Sequence, residues 1–160
     1  MQVLVLYYTR TGNTRKLAEA VAEGVRTVPG CEAIVRTPDT VTIDEFRGSH
    51  GVVVGSPVYF GGMAAELKKV LDDFLTVRRH MEGKVGAAFA TSAHPSGGKE
   101  TTILAIHQAL LIYGMIVMGD PLDAGGHYGV ACAGAPDEAT LGHARKLGAR
   151  VARIAQKLFT

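Results

Sequence analysis

Five short apolar runs, separated by segments with helical periodicity, constrain this chain more than any other feature. The runs are Val3–Tyr8, Ala33–Val35, Val52–Gly55, Val85–Ala90 and Met115–Met118. Each has the length of a strand, and strands that alternate with helices form a parallel sheet. The second, third and fifth are the shortest, and Gly51, Gly55, Gly114 and Gly119 supply the turn signals at their ends.

The intervening segments carry apolar residues at helical spacing. A first helix is expected from Asn13 or Thr14, with Leu17, Val21 and Val25 on one face, ending before Pro29-Gly30. A brief helical turn is expected at Ile43–Arg47. A third helix fits Ala64–Leu75, a fourth runs from Glu100 to Tyr113, and the last starts at Asp137. With right-handed crossovers this is an α/β protein, a three-layer α/β/α sandwich around a five-stranded parallel sheet of order 2-1-3-4-5. At 160 residues the chain suits one core, so residues 1–160 are expected to be a single domain. Ligands of such sheets sit beyond the carboxyl ends of the strands, where the winding reverses. The loops after strands one, three and four are expected to converge there.

Several function classes lose support at once. The formal net charge is only +2, and the basic residues are spread through helices, so nucleic acid is not called for. Arg78-Arg79 reads as a solvated helix end, and Arg145, Arg150 and Arg153 as a polar helix face. No apolar run approaches the roughly 20 residues needed to cross a bilayer, so membrane insertion is not expected. Met1-Gln2 leads straight into a strand-like run without a basic stretch, which makes the cytoplasm the default location. Cys31 and Cys132 read as reduced structural thiols. His50, His80, His107 and His143 have no metal spacing and read as surface or helix-face positions, so no metal site is expected.

The chemistry lies in the loops. Thr9-Arg10-Thr11-Gly12-Asn13-Thr14 places hydroxyl and amide side chains and one glycine at the mouth of a helix. A helix N-terminus offers unpaired N–H groups and the positive end of its dipole to a phosphate. The hydroxyls of Thr9, Thr11 and Thr14 would complete the shell, and Asn13 tolerates a left-handed backbone. The alternative is an ordinary N-cap, with Thr11 or Asn13 satisfying the helix and nothing bound. The loop is neither a Walker A sequence nor a G-x-G-x-x-G dinucleotide fingerprint. Together with the run Val3–Tyr8 it resembles the phosphate loop of flavodoxins, Ser/Thr-x-Thr-Gly-Asn-Thr. The resemblance implies a flavodoxin-like fold with FMN as cofactor.

After the third run, Gly55-Ser56-Pro57-Val58-Tyr59-Phe60-Gly61-Gly62-Met63 joins turn formers to two aromatics that could flank a flat ring or cap the core. Pro57, Phe60, Gly61 and Met63 resemble the Pro-x-x-Phe-Gly-x-Met signature of the tryptophan-repressor-binding-protein-like NAD(P)H:quinone oxidoreductases. After the fourth run, Thr91-Ser92-Ala93-His94-Pro95-Ser96-Gly97-Gly98 offers amides and hydroxyls suited to the polar edge of a flavin. Ser92, Gly97, Gly98 and Glu100 align with that family, while His94 replaces a small residue. A histidine near the flavin N1–O2 edge stabilises negative charge on the reduced ring; a solvated loop histidine is the alternative.

Gly126-His127-Tyr128-Gly129 resembles the same family, which implies a role for His127 in the site and for Tyr128 beside the cofactor. Tyr113 stands where the family has a histidine near the substrate face; the alternative is a core residue at a helix end. The resemblance implies NAD(P)H as electron donor, a quinone-like small molecule as acceptor, and a homo-oligomer, dimer or tetramer. Between strands three and four the chain is shorter than those reductases, and it has no tryptophan. A carrier flavodoxin serving a redox protein is the rival reading, and a flavin-free interaction module a third.

Overall fold

Residues three to six, Val-Leu-Val-Leu, are wholly shielded from solvent, and alternate side chains enter two different cores. This first strand, β1 (Gln2–Tyr7), is an inner strand of the sheet in the computed structural model, which describes residues 1–160. The chain continues through α1 (Asn13–Arg26), β2 (Glu32–Arg36), α2 (Ile43–Gly48), β3 (Gly51–Pro57), α3 (Ala65–Asp73) and a 3-10 segment (Phe74–Met81). It ends with β4 (Val85–Ser92), α4 (Lys99–Ile112), β5 (Ile116–Met118), β6 (Val130–Ala133) and α5 (Glu138–Phe159). The strands pair in parallel in the order β2-β1-β3-β4-β5, with β6 also on β4.

The expected order is therefore present, but the fifth position differs. Ile116–Met118 pairs with Val85–Ala87, and Val130–Ala133 pairs with Phe89–Ser92 further along the same neighbour. One edge strand is thus interrupted by an excursion, residues 119–129. The short run Val130-Ala131-Cys132-Ala133 is the part that the sequence reading omitted.

Helices α1 and α5 cover one face, burying Val3, Val5, Tyr7, Val53 and Phe89. Helices α2, α3 and α4 cover the other, over Leu4, Leu6, Val52, Val54 and Ala88. Both faces are sealed, as a parallel sheet requires. The third helix ends earlier than expected: at Phe74 it tightens into the 3-10 segment, which seats Val77 and Met81 in the core.

Candidate functional site

The caps of the helices mark one end of the molecule. Thr42 caps α2 with a complete capping box, and Asp137 caps α5 through its carboxylate. The helices entered from β1, β3 and β4 have no side-chain cap at all. Their leading N–H groups are left for something else. At α1 the N-cap is Gly12, at φ 94°, a left-handed conformation that the absence of a Cβ permits. A Cβ built there would meet nothing within 4 Å, so the space above the helix end is open. No acidic residue lies in its first turn.

This departs from the sequence expectation in two details. Asn13 begins the helix and is not left-handed; Phe60 is the one non-glycine residue with positive φ. Neither Thr11 nor Asn13 caps α1, so the ordinary N-cap alternative does not form. The hydroxyls also divide. Thr9 Oγ1 accepts from the Gly12 N–H at 3.0 Å and shapes the loop. Thr14 is buried, and its Oγ1 pairs with Thr91 Oγ1 at 2.8 Å. Arg10 and Thr11 are exposed at the rim.

The three loops do converge. Thr14 ties the β1 loop to β4, and the Val58 N–H donates to the Thr91 carbonyl at 2.7 Å. The Tyr8 and Tyr59 rings meet edge to face at 6.3 Å. Tyr8 lies beside the Glu66 carboxylate, which raises its hydroxyl above the usual phenol range. Tyr59 and Gly62 exchange two backbone hydrogen bonds of 3.0 Å, with Phe60 at φ 49° and Gly61 at φ 79° between them. This is a type I′ turn, and an aromatic in its first left-handed position is strained. Thr101 Oγ1 donates to the Gly61 carbonyl at 2.8 Å and so fastens the turn to α4. The two aromatics part company here: Phe60 is fully exposed, whereas the Tyr59 hydroxyl is buried without a hydrogen-bond partner. Pro57 leads into this turn half-buried.

In the third loop Ser92 Oγ donates to the His94 carbonyl at 2.7 Å, and the Gly97 N–H reaches the same oxygen at 2.9 Å. Ala93 and His94 are exposed. The Ser96 N–H donates to His94 Nδ1 at 3.1 Å, so the neutral ring carries its proton on Nε2. Gly98 then opens α4. Between Tyr8 and Gly98 the three loops, 8–13, 58–64 and 93–98, contain no aspartate or glutamate.

The excursion adds a fourth wall. His127 and Tyr128 line a cavity of about 420 Å³ with Lys99, Glu100, Asp120 and His143, adjoining the start of α4. Asp120 Oδ1 accepts from the His127 N–H at 2.9 Å, and Arg150 holds the carbonyls of Gly119 and Asp120. His107, read from sequence as a surface or helix-face position, is buried on α4 with its Nε2–H donating to the Tyr128 carbonyl at 2.8 Å. Its Nδ1 has no partner, and burial holds the ring below its usual value against the opposing pull of that bond. The unfolded chain takes up the proton first, near pH 6.5. Stability that His107 contributes above that pH is therefore lost as pH falls through the lower folded value. His50 shifts in the same direction. Unfolding measured from pH 7.5 to 5 is expected to show a smaller acid loss in His107→Gln than in the parent; equal losses would contradict the assignment.

Tyr113 does not join the site. It follows the C-terminal end of α4, about 20 Å of helix from Lys99, and is 5% exposed. Its ring packs on Phe46 and its hydroxyl donates to the Leu71 carbonyl at 2.6 Å. Burial, with Asp72 nearby, pushes that hydroxyl up to about 12. The role carried over by resemblance is thus corrected to a core role. Tyr113→Phe is expected to cost about 1 kcal/mol of stability and leave turnover unchanged, which paired unfolding and activity measurements will check.

Comparison with known proteins agrees with this geometry. The family described as NADPH-dependent FMN reductase matches residues 38–127. An NAD(P)H dehydrogenase (quinone) of Archaeoglobus fulgidus is 36% identical over 98% of each chain. That alignment runs over 188 positions against 160 residues here, so the relative carries stretches with no counterpart in this chain. A flavodoxin of Aquifex aeolicus is 37% identical over 94% of this chain and 85% of its own. Among solved structures, a flavodoxin, WrbA-like protein from Agrobacterium tumefaciens superposes with a TM-score of 0.85 at 25% identity, covering 98% of both chains. Profile, relatives and fold coincide: the chain belongs to the NADPH-dependent FMN reductase family and has the flavodoxin-like fold.

Proposed function

We propose that residues 1–160 act as one FMN-binding unit that passes electrons from NAD(P)H to a quinone-like acceptor. The observation that carries this reading is the uncapped N-terminus of α1, facing open space where the sheet changes winding direction between β1 and β3. The residues present fit the cofactor: an anion-seeking helix end, loops without acid, and a buried Tyr59 hydroxyl still lacking a partner. The backbone amides of Asn13 and Thr14, with Thr9, Arg10, Thr11 and Gly12 shaping the loop around them, would hold the phosphate. Pro57, Val58, Tyr59, Phe60 and Gly61 would border the ring through their turn. Thr91, Ser92, Ala93, Gly97 and Gly98 would meet its polar edge, with His94 offering the proton on Nε2 to that edge. Tyr128 and His127 would close the acceptor side.

FMN, when bound, supplies the capacity to take up a hydride and pass the electrons on. The chain supplies position and charge: loops 8–13, 58–64 and 93–98 without acid, and the positive end of α1, whose first turn carries no acid, favour the negative charge that reduction brings. A cytoplasmic location accords with two free cysteines, and a net charge of only +2 gives no call for nucleic acid as a partner; no helix is long and apolar enough to cross a membrane. FMN-loaded protein mixed with NADPH or NADH and benzoquinone is expected to oxidise the nucleotide. No turnover with either donor would overturn the reading.

One observation favours a carrier flavodoxin instead: the alignment with the Aquifex aeolicus flavodoxin needs only 157 positions, close to the length of this chain. Two well-separated one-electron steps in a redox titration, without direct NAD(P)H oxidation, would select it.

A further inference from the structure

The cations of the helices are treated in two different ways. On α1, α2 and α3 the exposed Arg15, Arg47, Lys68 and Lys69 each pair with an acid one turn away, Glu19, Asp44, Asp72 and Asp73. Such pairs support a helix surface. Helix α5 departs from that pattern. From Ala139 to Thr160 the chain has no aspartate or glutamate, while Lys146, Arg150, Arg153 and Lys157 follow one another at intervals of four, three and four residues. This spacing sets all four on one stripe of the helix, where like charges repel. Only Lys157, in the last turn, is favoured there by the helix dipole.

The stripe lines a groove of about 620 Å³, to which α1 adds Gly24 and Thr27, and the 119–129 excursion adds Pro121 and Asp123. Five cations and one carboxylate border it, a local excess greater than the net charge of +2 on the whole chain. Two of the five are answered internally, Arg145 by Glu23 and Glu138 and Lys146 by Asp123. Arg150, Arg153 and Lys157 are not: none of them enters an ion pair within the chain. Arg150 is also held in place. It is half-buried, and its Nη1 donates to the carbonyls of Gly119 and Asp120 at 3.1 and 2.7 Å, which leaves the Nη2 and Nε hydrogens unused. A guanidinium fixed on one side by backbone and free on the other needs little ordering to take an anion.

We infer that this groove is a binding site for an oligophosphate chain, gripped by Arg150, Arg153 and Lys157. The arginines offer forked N–H donors that match phosphate oxygens, and the lysine offers a mobile point charge. The three cations are spread over about 10 Å of helix rise, so linked phosphates engage all of them where a single phosphate does not. Pro121 and Ile154 give the groove an apolar wall beside the cations. A nucleoside carried on the phosphates has a surface to lie on there, and the cations read the part that a nucleoside triphosphate shares with a bare phosphate chain. None of the residues lining the groove belongs to the loops 8–13, 58–64 or 93–98, and the inference does not depend on the FMN reading.

The test is calorimetric titration of the full-length protein with tripolyphosphate and, separately, with ATP in magnesium-free buffer. Saturating FMN is present, so that the α1 cradle is filled. Each ligand is expected to bind once per chain in the micromolar range, and more weakly as salt is raised. ATP binding tighter than tripolyphosphate assigns the site to a nucleotide with its base on Pro121 and Ile154; ATP binding no tighter assigns it to the phosphate chain alone, and either result supports the inference. Arg153→Glu, at an exposed position, is expected to weaken both ligands by roughly thirtyfold, and Lys157→Glu by roughly tenfold. Arg79→Glu, the same change of net charge on the other side of the sheet, is expected to leave both unchanged. Circular dichroism checks that each variant folds, and Lys157→Glu decides the matter should Arg153→Glu misfold. No binding of either ligand, more than one molecule per chain, or equal losses in the α5 variant and Arg79→Glu overturns the inference. Failure of FMN to bind would defeat the function proposed above, and the contrast between the α5 and Arg79 variants would still decide this site.

Discussion

Thr11→Asp is expected to weaken FMN binding by roughly a hundredfold while changing riboflavin binding little. Thr11 is exposed at the rim of the β1 loop, one residue before the left-handed Gly12, so the substitution leaves the fold alone. What it changes is the sign of the field at the helix mouth. The cradle has no lysine and no metal ligand; apart from Arg10 at its exposed rim, its attraction for phosphate comes from unpaired N–H groups and the helix dipole. A carboxylate about 6 Å from a phosphate costs about 3 kcal/mol per pair of unit charges at an effective dielectric near 20. No dipole of half a charge offsets that. Riboflavin lacks the ester and serves as the internal control. Titration followed by flavin fluorescence measures both constants. If the two ligands lose affinity equally, the loop shapes the ring site and does not hold the phosphate, and the reading of this helix end is wrong. Raising the salt concentration is expected to shrink the Thr11→Asp effect, because the added charge is exposed and screened.

How far the sequence reached can be judged residue by residue. Four of the apolar runs located strand positions because each is long enough, or sharply enough bounded by glycine, to admit no helix; the other, Ala33–Val35, lies between Glu32 and Arg36 and is too short for one. The interruption of the fifth strand escaped, because Val130–Ala133 is four residues long and only its pairing with β4 reveals it as a strand. The loop after β1 was legible as a helix mouth, since hydroxyls and a glycine before apolar periodicity have few other uses. That Thr14 would turn inward to Thr91, 77 residues away, was not legible, because it depends on how closely β1 and β4 loops approach. Tyr113 shows the converse failure: alignment with a family motif suggested a role, but one helix length separates it from the loops. His107 and its grip on Tyr128 gave no signal either, since a lone histidine amid apolar residues reads the same whether its ring meets water or a carbonyl.

Two glycines of α5 are expected to respond to alanine with opposite signs. At Gly142 a Cβ would meet nothing within 4 Å, and the only change is better helix propensity, a gain of up to about 1 kcal/mol. At Gly148 the same Cβ would lie 2.0 Å from the Val21 carbonyl oxygen of α1, and Gly24 on α1 is in the same state against the Arg145 carbonyl at 1.9 Å. Neither neighbour is a side-chain end that can swing aside; both are helix backbone, so α1 and α5 must separate. The propensity gain is outweighed, and Gly148→Ala is expected to destabilise the protein by about 3 kcal/mol, lowering Tm by about 6–12 °C. The displacement reaches function because α1 is the helix whose first turn forms the phosphate cradle. A helix pushed off the sheet strains the Thr14–Thr91 contact, so the surviving folded protein is expected to bind FMN more weakly, whereas Gly142→Ala binds it as the parent does. Thermal unfolding and flavin titration of the two variants side by side decide the matter. Equal stability in both would mean that the helix contact is loose enough to absorb a methyl group, and that α5 does not fix the position of the cradle.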